Sequence, residues 1–188
     1  MGGNVTTRYL AKAPEEMKKR IILGLSVGQG YCAVKSGPCY HEWENGRRVY
    51  NYIITENMKR LLRRNYDKVR LWGATSLVVL DEVYNRRVFG FQSVEEFYKS
   101  VSSLLLIPTI DIPMIFLNAV DDPIVPEVLY NPVIELCKSH PLHAFILLKH
   151  GGHLGFLEGT SIKPNSVTWL DRFIIQVAEA AIQVFDNE

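Results

Sequence analysis

Three short apolar runs constrain this chain more than any other feature. They are Ile21-Ile-Leu-Gly-Leu-Ser-Val27, Pro113-Met-Ile-Phe-Leu-Asn-Ala-Val120 and His143-Ala-Phe-Ile-Leu-Leu-Lys149. Each is apolar at consecutive rather than alternating positions and is bounded by charge, glycine or proline, the pattern of a strand buried on both faces. Such strands belong to parallel sheets, whose crossovers cover both faces with helices. The stretch from Glu127 to Ser139 supplies a helix between the second and third runs. Another runs from Val167 to Phe185, with Leu170, Phe173-Ile174, Val177 and Ala181 at helical spacing. The order strand, helix, strand, helix predicts a right-handed parallel α/β sheet.

The remaining sequence reads as helix and loop. Val5 to Ala13 predicts a short helix ending near Pro14. Residues 28 to 40 carry Gly28, Gly30, Gly37 and Pro38, which leave room for at most two helical turns. From His41 to Arg64 the pattern is helical, with Val49, Ile53, Met58 and Leu61-Leu62 on an apolar face and Arg47, Arg48, Lys59, Arg60, Arg63 and Arg64 mostly off it. Ser76 to Tyr84 predicts a second helix, and Ser93-Val-Glu-Glu96 is a capping-box pattern that starts a third. No strand-like run separates them. The expected organisation is one domain over 1–188 with a helical cap inserted over about 41–110.

Composition narrows the function classes. A chain with 21 basic and 20 acidic side chains carries a formal charge of +1, which excludes a nucleic-acid binder working by bulk electrostatics. Three cysteines are too few for a disulfide framework, which points to a reducing compartment. No apolar run is long enough to span a bilayer.

The residues suited to chemistry follow the second and third apolar runs. Asp121-Asp122-Pro-Ile-Val-Pro126 stands at the carboxyl end of one predicted strand, and His150-Gly-Gly-His153-Leu-Gly-Phe156 at that of the next. Ligands of open α/β sheets gather at this edge. A strand-end aspartate alone is often a helix cap, and a loop histidine alone is often a surface residue. On consecutive strands the two suit an acid that orients a histidine general base. His150 and His153 share a spacing seen in metal pairs, but no third ligand lies nearby, so neither metal nor cofactor is expected. Gly24-Leu-Ser26-Val-Gly28 matches the G-x-S-x-G nucleophile elbow, and Ser26, Asp122 and His153 follow in the order such an enzyme uses. Against Ser26 stands its context: an elbow needs a helix directly after the serine, and the glycines that follow leave little room. Ser26 therefore stays an alternative nucleophile.

Several motifs resemble the abhydrolase-domain lipases and esterases related to bacterial YheT-type hydrolases. They are Ala119-Val-Asp-Asp-Pro-Ile-Val, Gly151-Gly-His-Leu-Gly-Phe-Leu-Glu-Gly159 and Phe89-Gly-Phe-Gln-Ser. Ser26-Val-Gly-Gln-Gly-Tyr-Cys-Ala-Val, Arg47-Arg-Val-Tyr-Asn51, Glu56-Asn-Met-Lys59 and Ala74-Thr-Ser-Leu77 are most similar to the membrane-anchored monoacylglycerol lipase branch. The resemblance implies an α/β-hydrolase fold with a mostly parallel sheet and a serine hydrolase of carboxylic esters, an acylglycerol lipase of lipid metabolism. It assigns the base to His153 and the acid to Asp122, with Asp121 the neighbouring candidate. Met1-Gly-Gly-Asn4 matches the second half of the family's Gly-x-Ser-(Leu/Met)-Gly-Gly-Asn segment. The serine then falls immediately before Met1, whose backbone nitrogen takes the oxyanion-donor position. On this alignment the nucleophile, the first strands and any membrane anchor lie ahead of the sequence. The implied partner is a lipid ester. The full-length family is membrane-associated, and the basic side of helix 41–64, through Arg60, Arg63 and Arg64, is a candidate contact with anionic headgroups. The other expectation is a non-catalytic fragment that binds lipid or a partner. Oligomeric state stays open.

Overall fold

The computed structural model describes residues 2–63, 72–159 and 164–187. The chain forms two compact units, Met1–Tyr31 with Ser103–Glu188, and Cys32–Ser102.

The first unit is built on three parallel strands in the order β1-β2-β3: β1 is Gly24–Val27, β2 is Met114–Ala119 and β3 is His143–Leu148. The central β2 is buried on both faces, as its apolar run requires. Met114 and Phe116 join Leu10, Ile107, Ile110, Leu129 and Val133 in one core cluster. Leu117 and Ala119 join Phe156 in another, against which Trp169, Leu170 and Phe173 pack. Strand β1 is shorter than the run Ile21–Val27 predicts. Gly24 N–H donates to the Pro113 carbonyl at 2.8 Å, but Pro113 has no N–H to return, so the ladder starts there.

Helix α1 (Gly2–Lys12) lies along β1, with Thr7 and Leu10 buried, and α2 (Glu15–Lys18) adds a short turn that periodicity does not reveal. A 3₁₀ segment over Leu104–Thr109, also unforeseen, leads to β2. Helix α8 (Glu127–Ser139) joins β2 to β3. Helix α9 (Trp169–Asp186) begins with a capping box: Thr168 Oγ1 accepts the Asp171 N–H at 3.2 Å, and the Asp171 carboxylate accepts the Thr168 N–H at 2.8 Å. Strand β1 is an edge of this sheet. Between it and α9 runs an apolar groove of about 400 Å³, lined among others by Ile21, Leu25, Ile174 and Ile182.

The second unit contains no strand among its described residues. It comprises α3 (Ala33–Cys39), α4 (Arg47–Arg63), α5 (Leu77–Leu80), a π-turn over Asp81–Asn85 running into α6 (Arg86–Val88), and α7 (Val94–Val101). Ser93 caps α7 by accepting the Glu96 N–H at 3.1 Å; Glu96 returns its carboxylate to the Gln92 N–H at 3.0 Å, one residue earlier than a capping box requires.

Helix α4 corrects the expected amphipathicity. Val49, Ile53 and Leu61 are exposed, whereas Arg47 and Lys59 are only 1% and 5% exposed. Most of the polar side is satisfied by groups beyond the helical pattern, although Arg47 Nε is buried without a partner. Arg47 pairs with Glu42 at 2.7 Å and Glu44 at 3.3 Å. Asn51 donates to the Tyr40 carbonyl at 3.1 Å and accepts the Leu77 N–H at 2.9 Å. Lys59 donates to the Ala74 carbonyl at 2.8 Å and pairs with Glu56 at 2.5 Å. Only Met58 and Leu62 of the expected apolar face pack inward, against Ala74 and Leu80. The Arg63 side chain and Arg64 lie outside the described residues.

One buried titratable group of the sheet unit makes stability depend on pH. His143, 6% exposed, stacks on His140 with ring centroids 3.6 Å apart and meets Phe116 edge-on. Burial, reinforced by the neighbouring His140, pushes its pKa down from 6.5 to about 4. Above 6.5 both folded and unfolded states hold the ring neutral, so the fold keeps its full stability. Between 6.5 and about 4 the unfolded chain binds a proton that the folded protein refuses, so stability falls as pH is lowered. Replacing His143 with Phe flattens this part of the acid limb, read from urea midpoints at intervals across the window. A variant as acid-sensitive as the parent would clear His143 of that role.

Candidate active site

The site is built at the carboxyl ends of β2 and β3. After β2 the chain turns at Asp121-Asp122, and the two neighbours do different work. Asp122 is buried. Its Oδ1 accepts the backbone N–H groups of Ile124 at 2.7 Å and Val125 at 3.0 Å, which fixes the carboxylate in a tight turn. Its Oδ2 lies 2.9 Å from Nδ1 of His153. An ionised carboxylate only accepts, so Nδ1 carries the proton and Nε2 is the basic nitrogen. The His153 side chain is 31% exposed and that of Asp122 is 0% exposed, a buried acid behind a reachable base. Asp121, by contrast, staples the histidine loop. Its Oδ1 accepts the N–H groups of Gly151 at 2.9 Å and Gly152 at 2.8 Å, and its Oδ2 lies 3.5 Å from His150 Nδ1.

Strand β1 reaches the same edge through Gly28. Its φ is +58°, and a Cβ there would stand 2.4 Å from the backbone oxygen of His153. Only glycine allows that approach.

Ser26 is not joined to the pair. It sits fully buried within β1, with Oγ donating to Gln29 Oε1 at 2.9 Å and lying 3.3 Å from the Tyr31 hydroxyl. Burial raises the Tyr31 pKa above its ordinary value; with the single Ser26 proton directed to Gln29, the phenol is the group left to donate to Ser26. The next helix starts only at Ala33, so Ser26 lacks the strand–turn–helix geometry of an elbow. Met1, expected as the oxyanion donor, lies outside the described residues. His150 and His153 gain no third ligand: among the described residues no group of three His, Cys, Asp or Glu side chains is arranged to hold a metal.

Gln29 is the residue that sequence reasoning missed. Its amide, in a residue 5% exposed, accepts from Ser26 and donates to Ser103 Oγ at 2.8 Å and Asn4 Oδ1 at 3.3 Å. Its backbone carbonyl accepts the Asn118 amide at 3.2 Å. The start of α1 meets the same group, since a Cβ on Gly3 would fall 2.6 Å from Ser26 Oγ and 2.8 Å from Gln29 Oε1. The available signal was a polar residue set between Gly28 and Gly30 at a strand end.

A parallel sheet that pairs a strand-end aspartate with a histidine from the adjacent strand end is the frame of an α/β-hydrolase. Comparison with known proteins agrees: nearly the whole chain is similar to abhydrolase-domain proteins, which supports its assignment to the α/β-hydrolases. It is 38% identical to abhydrolase domain-containing protein 2 of Drosophila melanogaster, over 99% of this chain and 50% of that protein. It is 32% identical to the monoacylglycerol lipase ABHD2 of Homo sapiens, over 97% of this chain and 47% of that one. To the human phospholipase ABHD3 the identity is 28%, over 97% and 45% respectively. The chain thus spans about half the length of the curated relatives it matches. No model of a protein family matches it. No solved structure matches it either.

The Gln29 network is open to a direct test. Gln29→Leu leaves the Ser26 hydroxyl and its neighbours without their partner and costs about 1–3 kcal/mol of stability. Ser26→Ala in the same background recovers part of that loss, giving a coupling above about 0.5 kcal/mol in a double-mutant cycle of unfolding free energies. Strict additivity would show that the amide and the hydroxyl do not depend on one another.

Proposed function

We propose that the protein is a serine hydrolase of carboxylic esters, an acylglycerol lipase that cleaves monoacylglycerol to fatty acid and glycerol. In this proposal the chain carries the acid, Asp122, and the base, His153, while the nucleophilic serine stands immediately ahead of Met1. The observation that carries the proposal is the 2.9 Å contact between Asp122 Oδ2 and His153 Nδ1, with the acid buried and the histidine open to solvent. The relatives named as a monoacylglycerol lipase and a phospholipase support a lipid ester as substrate. The contacts of Gly3 and Asn4 with the Ser26–Gln29 group support a nucleophile at the start of α1, because they bring that start to the strand end where Gly28 touches the His153 loop. In this proposal residues from about 41 to 110 are an inserted helical cap, and strands ahead of β1 complete the sheet.

The chemistry follows from the tautomer. His153 Nε2 takes the serine proton as the hydroxyl attacks the ester carbonyl, and Asp122 stabilises the imidazolium that forms. Peptide-bonded within the longer protein, the Met1 N–H follows the nucleophile and donates to the oxyanion. The imidazolium then protonates the departing glycerol oxygen, and water repeats the sequence on the acyl-enzyme.

A fluorophosphonate probe tests the assignment. On the longer gene product it labels a serine ahead of Met1, and on the 188-residue chain it leaves Ser26 unlabelled. In the longer product Asp122→Asn or His153→Ala lowers kcat for monoacylglycerol by about 10⁴-fold or more, while Ser26→Ala leaves it near the parent value. Label on Ser26, or full turnover without His153, would falsify the proposal.

A further inference from the structure

The bond from Asp122 to Nδ1 fixes which way the His153 ring points, but a ring held at one edge still moves with the backbone that bears it. That backbone is soft by composition. His150 to Phe156 contains three glycines, Gly151, Gly152 and Gly155, and Gly152 lies at a φ of +59°. Such a segment loses much conformational freedom on folding and keeps its place only where something ties it. On the outgoing arm the tie is Phe156, which is buried and packs with Leu117, Ala119 and Trp169. Its N–H donates to the Gly151 carbonyl at 2.8 Å, which closes Gly151–Phe156 into a loop around His153. Its φ of +41° is one that residues other than glycine rarely adopt. A Cβ on Gly151 would stand 2.4 Å from the Phe156 ring, so a glycine there is what lets the two arms meet.

The incoming arm, Gly151-Gly152, has no side chain to bury. Its tie is Asp121, whose Oδ1 accepts the Gly151 N–H at 2.9 Å and the Gly152 N–H at 2.8 Å. The other oxygen of Asp121 does little. It lies 3.5 Å from His150 Nδ1, between side chains 43% and 76% exposed, and a surface pair of that kind has small effect. What Asp121 supplies is therefore one acceptor oxygen at a set reach from the end of β2. An asparagine offers the same oxygen at the same reach, whereas a glutamate offers the charge one methylene further out.

We infer that Asp121 is a positioning residue for the base: through the Gly151 and Gly152 N–H groups it sets where His153 Nε2 stands, and it acts by the reach of its oxygen rather than by its charge. This rests on the reading of His153 as general base given above. The two adjacent aspartates then divide one task. Asp122 holds the ring and its tautomer, and Asp121 holds the backbone that carries the ring.

The test has two arms. In the longer gene product, with monoacylglycerol as substrate, Asp121→Ala lowers kcat by about 10²-fold and leaves KM within about two-fold, as expected when a base is displaced and binding is not. Asp121→Asn stays within about five-fold of the parent, because a neutral acceptor gives weaker bonds of the same geometry. Asp121→Glu falls below Asp121→Asn, and His150→Gln matches the parent. The same exchange one residue on, Asp122→Asn, costs about 10⁴-fold. The second arm needs no turnover. Nitrogen NMR of ring-labelled histidine in the 188-residue chain shows His153 as the Nδ1–H tautomer. That signal survives Asp121→Asn and gives way to a tautomer mixture in Asp121→Ala. Circular dichroism and melting check the fold of each variant; if Asp121→Ala unfolds, the order of Asn above Glu decides alone. An Asp121→Ala that keeps the parental kcat or the parental tautomer signal overturns the inference. So does Asp121→Glu equal to Asp121→Asn, or His150→Gln as damaging as Asp121→Ala. If the longer product cleaves no ester, the enzymatic proposal fails by itself. The tautomer signal then still decides: its loss in Asp121→Ala alone upholds the positioning of His153, and its persistence overturns it.

Discussion

The buried residue Gln29 is the group on which the strand-end edge of the sheet unit depends. A buried primary amide is stable only if its donors and acceptor are matched, because each unmet partner carries its full desolvation cost. Here the matching groups come from four places in the chain: Asn4 on α1, Ser26 on β1, Ser103 ahead of the 3₁₀ segment, and Asn118 on β2 through the Gln29 carbonyl. None of these elements can slide by a residue without leaving a polar atom bare. One residue earlier, Gly28 touches the backbone of His153. Asn118 in turn lies four positions ahead of Asp122. The start of α1, the end of β2 and the His153 loop thus meet at Gly28-Gln29.

How much of this was legible in the residues depends on whether the cause was periodic. The strands were legible because burial on both faces leaves an apolar run with no alternation; each is shorter than its run, and the largest trimming, of β1 to Gly24–Val27, is imposed by the missing N–H of Pro113. The helix after β2 was legible from its place between two strand runs, and the helix after β3 from its helical spacing; the Thr168–Asp171 capping box emerged only in the structure. Helix α4 was legible as a helix but not in its facing. Hydrophobic spacing predicts the buried side only when polar side chains find nothing better than water. Here Glu42, Glu44 and the carbonyls of Tyr40 and Ala74 are delivered by other segments, and they draw Arg47, Asn51 and Lys59 inward. A tertiary supply of partners leaves no mark on the helix's own sequence.

The candidate site divides along the same line. An aspartate and a histidine at consecutive strand ends are visible because strand ends are visible. The division of labour between Asp121 and Asp122 is not, since it comes from which carboxylate finds backbone N–H groups and which finds an imidazole. Gln29 left only its position between two glycines as a trace. Ser26, from the sequence only an alternative nucleophile, shows how little a motif says apart from its context. Its G-x-S-x-G setting is a correct match to a motif whose meaning lies in a strand–turn–helix corner, and β1 continues instead into a glycine-rich loop, with the hydroxyl committed to Gln29.

This division bears on what holds the Asp122–His153 pair in place. The bonds that hold Asp122 come from Ile124 and Val125, and those that hold the histidine loop come from Asp121, all within the segment that β2 and β3 organise. Nothing in that arrangement waits for a serine to be positioned. Catalytic units of this kind are strongly non-additive, so a well-formed pair without its nucleophile contributes almost none of the rate that the complete set supplies. Geometry at the strand ends is therefore necessary for the proposed chemistry and separable from it. What couples the two is the start of α1, where Gly3 and Asn4 rest on the Ser26–Gln29 group. That start meets the Gln29 side-chain amide, while β2 is tied to the Gln29 backbone carbonyl and the His153 loop to Gly28.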